Sequence, residues 1–239
     1  MNGRPFPPIF SFGNPKGAVA ATIGLNPSAR EFSSNRNWNM TSDSNWRCIH
    51  YFEEPFGVPA HPWFNSWERF LNDLGLSYLK SDVVHFDLSP RATRSVSSLQ
   101  KEGVAEYRLF LQLVKNDLKY LVDQLRVYPL IKFLYAAGSV TKQYYIVEFL
   151  QKHSSLHHLS FKPVKQFERS GPGAIGLYEL DLGDNVSRSL FFCSTSPSSR
   201  KGKSLFLEKP AWLKTHYPSF VPSAHVNESH IKRVGKKLQ

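Results

Sequence analysis

The sequence predicts an α/β fold: a mainly parallel sheet with helices on both faces. Three observations predict it. Apolar runs of strand length alternate along the chain with segments of helical periodicity, the order of strand–helix–strand units joined by right-handed crossovers. Two tight polar turns, Gly24-Leu25-Asn26-Pro27-Ser28 and Thr195-Ser196-Pro197-Ser198-Ser199-Arg200, each follow such an apolar run. The chain has 239 residues, 41% of them hydrophobic and 14% aromatic, enough to bury one full core.

Residues 1–17, rich in Pro, Gly and Asn, read as an N-terminal arm, and 18–220 as one domain. Ala18 to Ile23 is a buried strand, and the polar stretch 33–47 a long loop of the kind that is functional or mobile. Trp63, Phe64, Trp67, Phe70, Leu71 and Leu74 recur at helical spacing and stop at Gly75, so this segment is a core-facing helix ended by a glycine. Val83 to Leu88 is a second strand. Val104 to Leu125 carries the clearest amphipathic stripe, from Tyr107 through Phe110, Val114, Leu118 and Leu121 to Leu125. Leu130 to Ala137 is a third strand turning at Gly138 into a helix over Thr141 to Lys152, with Ser139 as its N-cap. Leu156 to Phe167 and Ile175 to Leu182 flank Ser170-Gly171-Pro172-Gly173 and predict a hairpin or edge extension before the last strand, Ser189 to Cys193. Residues 221–239 are a basic C-terminal tail.

The formal net charge of +11 points to a polyanionic partner, since surplus Lys and Arg attract phosphate backbones. Cys48 and Cys193 are the two cysteines and lack C-x-x-C spacing, which excludes a disulfide framework, a zinc finger and an iron–sulfur cluster. The histidines, His85 among them, show no metal-ligand spacing and read as core or surface residues. No run reaches the ~18 apolar residues of a membrane span, and the first residues lack the apolar core of a signal peptide, so a cytoplasmic protein is expected.

Both polar turns lie beyond the carboxyl ends of buried strands, where open α/β sheets bind their ligands. Gly24-Leu25-Asn26-Pro27-Ser28 resembles the G-x-N-P-[GS] motif of the uracil-DNA glycosylase superfamily, and Ser196-Pro197-Ser198-Ser199-Arg200 its second motif, [HN]-P-S-x-x-[SRN]. Between them, Val83-Val84-His85-Phe86-Asp87-Leu88-Ser89-Pro90 is similar to the V-H-N-L-x-P turn of the single-strand-selective branch, with Asp87 in place of its base-reading Asn. Leu130 to Ser139 resembles the strand, glycine turn and helix that precede the last strand of the family. The four pieces keep the family's order over about residues 18–215, and the resemblance implies a three-layer α/β/α domain around a mainly parallel, four-stranded sheet.

The resemblance also implies roles. Asn26 would orient the attacking water, and Ser196, replacing His or Asn, would donate to pyrimidine O2 as charge develops. Ser198, with Pro197, would pinch a phosphate; Arg200 would enter the vacated stack, beside the basic Lys201 and Lys203. Phe64 is the favoured aromatic floor for the flipped base, ahead of Trp63, Phe32 and Trp46. An ionised Asp87 can only accept hydrogen bonds, so it suits a base bearing an amino group better than uracil. Ser28, standing where the fastest uracil enzymes carry a Tyr, leaves the pyrimidine 5-position open.

These residues lead to the expectation of a monomeric, cofactor-independent DNA glycosylase that flips a base and hydrolyses its N-glycosidic bond. A 5-substituted cytosine such as phages carry would place it in phage defence; uracil would place it in base-excision repair. A module that reads the modified base without cutting it is the rival from another class. An α/β-hydrolase reading lacks a G-x-S-x-G elbow.

Overall fold

The computed structural model describes residues 8–27, 48–52, 62–92, 103–141, 144–197, 199 and 202–223. Ser28, Phe32, Trp46, Ser198, Arg200, Lys201, the polar loop at 33–47 and the tail from 224 lie outside the described residues.

Six strands form one mixed sheet in the order β2-β1-β3-β6-β5-β4. They are β1 (Ala20–Gly24), β2 (Val83–Asp87), β3 (Phe133–Ala137), β4 (Ser160–Lys165), β5 (Ile175–Asp181) and β6 (Arg188–Cys193). Pairing is parallel between β1 and β2, β1 and β3, and β3 and β6, whereas β5 runs antiparallel to both β6 and β4. The sheet therefore has six strands where four were expected. The extra pair is the hairpin around Ser170–Gly173, which adds to the free edge of β6 instead of standing apart.

Alternate residues of each strand face opposite ways, and each face has its own apolar cluster. Ala21, Ile23, Val84, Phe86, Leu134, Ala136, Leu190 and Phe192 meet α2 (Val104–Val127) and α3 (Ile146–His153). Ala20, Val83, Tyr135, Ala137, Phe191 and Cys193 meet α1 (Pro62–Asp73), α4 (Lys203–Leu207) and α5 (Lys209–His216). On this second face Trp67, Phe70 and Phe206 interlock, with ring centroids 4.8–5.2 Å apart. Gly75 ends α1 with a φ of +80°, a conformation that a side chain disfavours, as the sequence anticipates.

Two local expectations change. The third helix starts at Ile146, not Thr141, and Ser139 does not cap it. Ser139 instead pairs with Tyr145, and the amides of Val140 and Thr141 both donate to the Tyr144 carbonyl ahead of the helix. Glu148 does the capping: its carboxylate accepts from the Tyr145 backbone N–H at 2.9 Å. Within the N-terminal arm, Ile9 and Phe12 are buried. Phe12 exchanges two 2.9 Å backbone hydrogen bonds with His85, so this segment covers the outer edge of β2.

Candidate functional site

β1, β2, β3 and β6 run parallel, so their carboxyl ends open on one edge of the molecule. The exits stay in register beyond the strands. Leu88 and Ser89 donate to the carbonyls of Gly24 and Leu25, at 3.0 and 3.1 Å, and Gly138 donates to Cys193 at 3.0 Å. Gly138 has a φ of +91°, and a Cβ placed there would lie 3.5 Å from the Ser196 Cβ, so the β3 exit turn lies directly against the Ser196 loop. The structure thus brings Asn26, Asp87 and Ser196 to one edge, on three strand exits. β1 and β6 flank β3, which sets the Asn26 and Ser196 exits roughly 10 Å apart at the usual strand spacing.

Asn26 is half-buried and its Nδ2 donates to the carbonyls of Pro27, at 2.9 Å, and Arg91, at 3.3 Å. Those two bonds fix the plane of the amide and with it the direction of Oδ1. The Arg91 segment is itself braced by Asp117 of α2, whose side chain is 4% exposed. Asp117 accepts from Ser89 Oγ at 2.7 Å and from the Arg91 guanidinium at 2.8 and 3.3 Å. The carboxylate beside it raises the Arg91 pKa still further.

Asp87 ends β2 with its carboxylate folded over Gly24 of β1; its side chain is 5% exposed. A Cβ on Gly24 would stand 2.4 Å from Asp87 Oδ1 and 2.9 Å from the His85 ring. Glycine is needed there for close approach, not for its backbone freedom. Gly24→Ala is expected to push both side chains aside and cost about 1–3 kcal/mol by overpacking, measured as a drop in the urea midpoint at unchanged slope. An unaltered midpoint would contradict the close approach.

A buried chain of polar groups leads away from Asp87. Asp87 Oδ1 lies 3.3 Å from His85 Nε2, and His85 Nδ1 lies 2.9 Å from Thr22 Oγ1, its register partner on β1. Thr22 Oγ1 in turn bonds the Tyr78 hydroxyl. Burial raises the Tyr78 pKa well above the ordinary tyrosine value, so the phenol keeps its proton. Glu68 of α1 accepts from Ser77 Oγ and from the Tyr78 backbone N–H, at 3.0 Å for the latter, which anchors this turn. Around the imidazole stand the rings of Trp63, Phe64 and Phe12, with centroids 4.7, 5.1 and 5.9 Å away. Phe64 is 6% exposed and its ring also meets Tyr51, Phe52 and Tyr78, so it reaches Asp87 through His85.

On the far side of the mouth, Ser196 is half-buried, and its carbonyl accepts from Ser199 N at 2.9 Å. The buried Thr195 accepts from Gly173 N at 2.8 Å, which ties the loop to the β4–β5 hairpin turn. Lys203, the first residue of α4, is half-buried beside this loop. Burial pushes the Cys48 thiol up to about 12 and raises that of Cys193, so neither supplies a thiolate nucleophile at neutral pH. Among the described residues no group of three or more His, Cys, Asp or Glu is placed to hold a metal ion, and no helix is long and apolar enough to cross a membrane.

Sequence reasoning missed Thr22, Tyr78 and Asp117 and left His85 among ordinary core or surface residues. Three of them carried a signal. Thr22 and His85 are buried polar residues flanked by buried apolar residues in their strands, and Asp117 falls on the apolar stripe of α2, three residues after Val114 and four before Leu121. Tyr78 carried none, since it lies in a connecting turn. Comparison with protein-family models, with curated proteins and with solved structures finds no match to this chain.

Proposed function

We propose that this protein is a uracil-DNA glycosylase-like enzyme that flips a base out of DNA and hydrolyses its N-glycosidic bond, with a 5-substituted cytosine as the preferred substrate. The observation that carries the reading is the convergence of Asn26, Asp87 and Ser196 on one edge of the parallel strands, with Asp87 Oδ1 3.3 Å from His85 Nε2. Its chemistry follows from those three groups. Breaking the bond leaves an oxocarbenium-like sugar and sends an electron pair into the base. Asn26 directs a water to the sugar carbon, Ser196 donates to the base oxygen as charge builds there, and Asp87 accepts from an exocyclic amino group. The roughly 10 Å between the Asn26 and Ser196 exits matches the span of a base with its sugar. The +11 charge supplies the attraction for the DNA backbone, and the sequence carries a small serine, Ser28, where the fastest uracil enzymes carry a Tyr. Four parallel strands in the order β2-β1-β3-β6 support the family assignment, with the β4–β5 hairpin as an addition.

Alkali-sensitive cleavage of DNA carrying uracil, hypoxanthine, 5-methylcytosine, 5-hydroxymethylcytosine or glucosylated 5-hydroxymethylcytosine tests this. Abasic sites at the 5-substituted cytosines are expected, in keeping with phage defence; cleavage confined to uracil would return the protein to base-excision repair. A second reading is favoured by one observation: Asn26 Nδ2 donates to the backbone carbonyls of Pro27 and Arg91, as in a structural turn strut. On that reading the protein binds the modified base without excising it, and the same assay shows no cleavage with selective binding retained.

A further inference from the structure

We infer that His85, oriented by Thr22 and Tyr78, is a positioning residue that sets base choice by holding Asp87 as a hydrogen-bond acceptor; the inference rests on the glycosylase reading. The direction of the buried chain follows from counting hydrogens. The Tyr78 hydroxyl lies in the core, and its partner among the described residues is Thr22 Oγ1. If Tyr78 accepted from Thr22, its own hydrogen would be buried without an acceptor, at the full cost of a lost hydrogen bond. Tyr78 therefore donates, and Thr22 has one hydrogen left, which goes to His85 Nδ1 at 2.9 Å. An accepting Nδ1 places the ring proton on Nε2, which faces Asp87 Oδ1 at 3.3 Å. Donated a hydrogen from this side and pressed against Gly24, the carboxylate turns only lone pairs towards a base. A lone pair accepts from the N4 amino group of cytosine and repels the O4 of uracil.

Position 87 therefore works as a one-way filter, and the filter is built from residues that never touch DNA. The rings of Trp63, Phe64 and Phe12 keep the imidazole from rotating, and Glu68 holds the Tyr78 turn. With the chain cut at Thr22, the ring proton is no longer confined to Nε2. Asp87 then loses the fixed donor that holds its carboxylate towards the base, and the preference for an amino group weakens.

The test has two readouts on the full-length protein. The first is the His85 tautomer, read by long-range proton–nitrogen correlation NMR without any substrate; wild type is expected to carry its proton on Nε2, and Thr22→Val to lose that fixed state. A wild-type ring protonated on Nδ1 alone overturns the inference whatever the activity. The second is the preference for 5-hydroxymethylcytosine over uracil, measured both as base release and as equilibrium binding of the same oligonucleotides. Thr22→Val and His85→Leu are expected to lower the preference by roughly tenfold or more, the weight of a hydrogen bond to a charged group. His85→Gln, whose amide keeps one acceptor and one donor, is expected to retain most of it. Thermal melting confirms that each variant is folded, and Thr22→Val, nearly isosteric, is the control that keeps the core filled.

The outcomes separate this inference from the reading it rests on. Preferential binding without release from any oligonucleotide overturns excision and leaves the filter standing. Release with a preference that Thr22→Val and His85→Leu leave unchanged overturns the filter and leaves excision standing. Neither release nor preference in the wild-type protein overturns both.

Discussion

Asn26→Ala is expected to lower base release by about 10²-fold or more while DNA affinity stays within a few-fold of wild type. A water that is held but not aimed loses the near-attack geometry, and the aim comes from an amide fixed by the carbonyls of Pro27 and Arg91. The same geometry makes a second prediction about this position. Asn26→Asp, although it supplies the carboxylate that the most active uracil branch uses, is expected to fail as a rescue. Its second oxygen would face the two carbonyls that Nδ2 now satisfies, at 2.9 and 3.3 Å, and the side chain would turn away. Single-turnover release beside equilibrium binding checks both variants. Undiminished release from Asn26→Ala would remove Asn26 from the chemistry and favour its role as a turn strut.

Asp184→Ala is expected to destabilise the fold by about 3–5 kcal/mol, because it leaves a buried cation without its partner. Arg188 opens β6 with its side chain 0% exposed. Its guanidinium donates to both oxygens of Asp184, at 2.9 and 2.7 Å, and to the carbonyls of Val186 and Leu125, at 3.1 and 2.7 Å. This knot ties the end of α2 to the start of the strand that later carries Ser196. The hydrogen bonds from Arg188, chiefly, hold the Asp184 carboxyl below its ordinary range, against an opposing effect of burial. A depressed carboxylate stabilises the native state fully above the unfolded value of about 3.9, and the contribution fades as pH falls through the lower folded value. Urea unfolding at neutral pH is therefore expected to separate wild type from Asp184→Ala widely, with the gap narrowing in strong acid. A gap that stays constant down to strong acid would contradict the ion pair as its source.

Strands and the two long helices were legible because periodicity is local. Ala20–Gly24, Val83–Asp87 and Arg188–Cys193 fall within two or three residues of the apolar runs that announce them, and the helix ending before Gly75 was set by its spacing and that glycine. The five- and eight-residue helices Lys203–Leu207 and Lys209–His216 were not, being too short to show a period. The helix start at Ile146 was hidden because Val140 and Thr141 bond the Tyr144 carbonyl, and Thr141 Oγ1 accepts from Tyr144 N–H at 2.9 Å, instead of opening the helix. Within the site, Asn26, Asp87 and Ser196 were visible because each stands at or just beyond the carboxyl end of an apolar strand. The chain behind Asp87 was not, because Thr22 meets Tyr78 and His85 across 56 and 63 residues of sequence, and only parallel pairing of β1 with β2 brings them together. A polar residue inside an apolar strand says that a partner exists without saying which.

The most direct test of the central claim is base release from DNA containing 5-hydroxymethylcytosine in water enriched with heavy oxygen, with both products analysed by mass spectrometry. Hydrolysis at the N-glycosidic bond predicts an intact free base and an abasic sugar that has gained one heavy oxygen from solvent, with both products lost in Asn26→Ala. DNA that stays intact, or a base released without solvent oxygen entering the sugar, would contradict it.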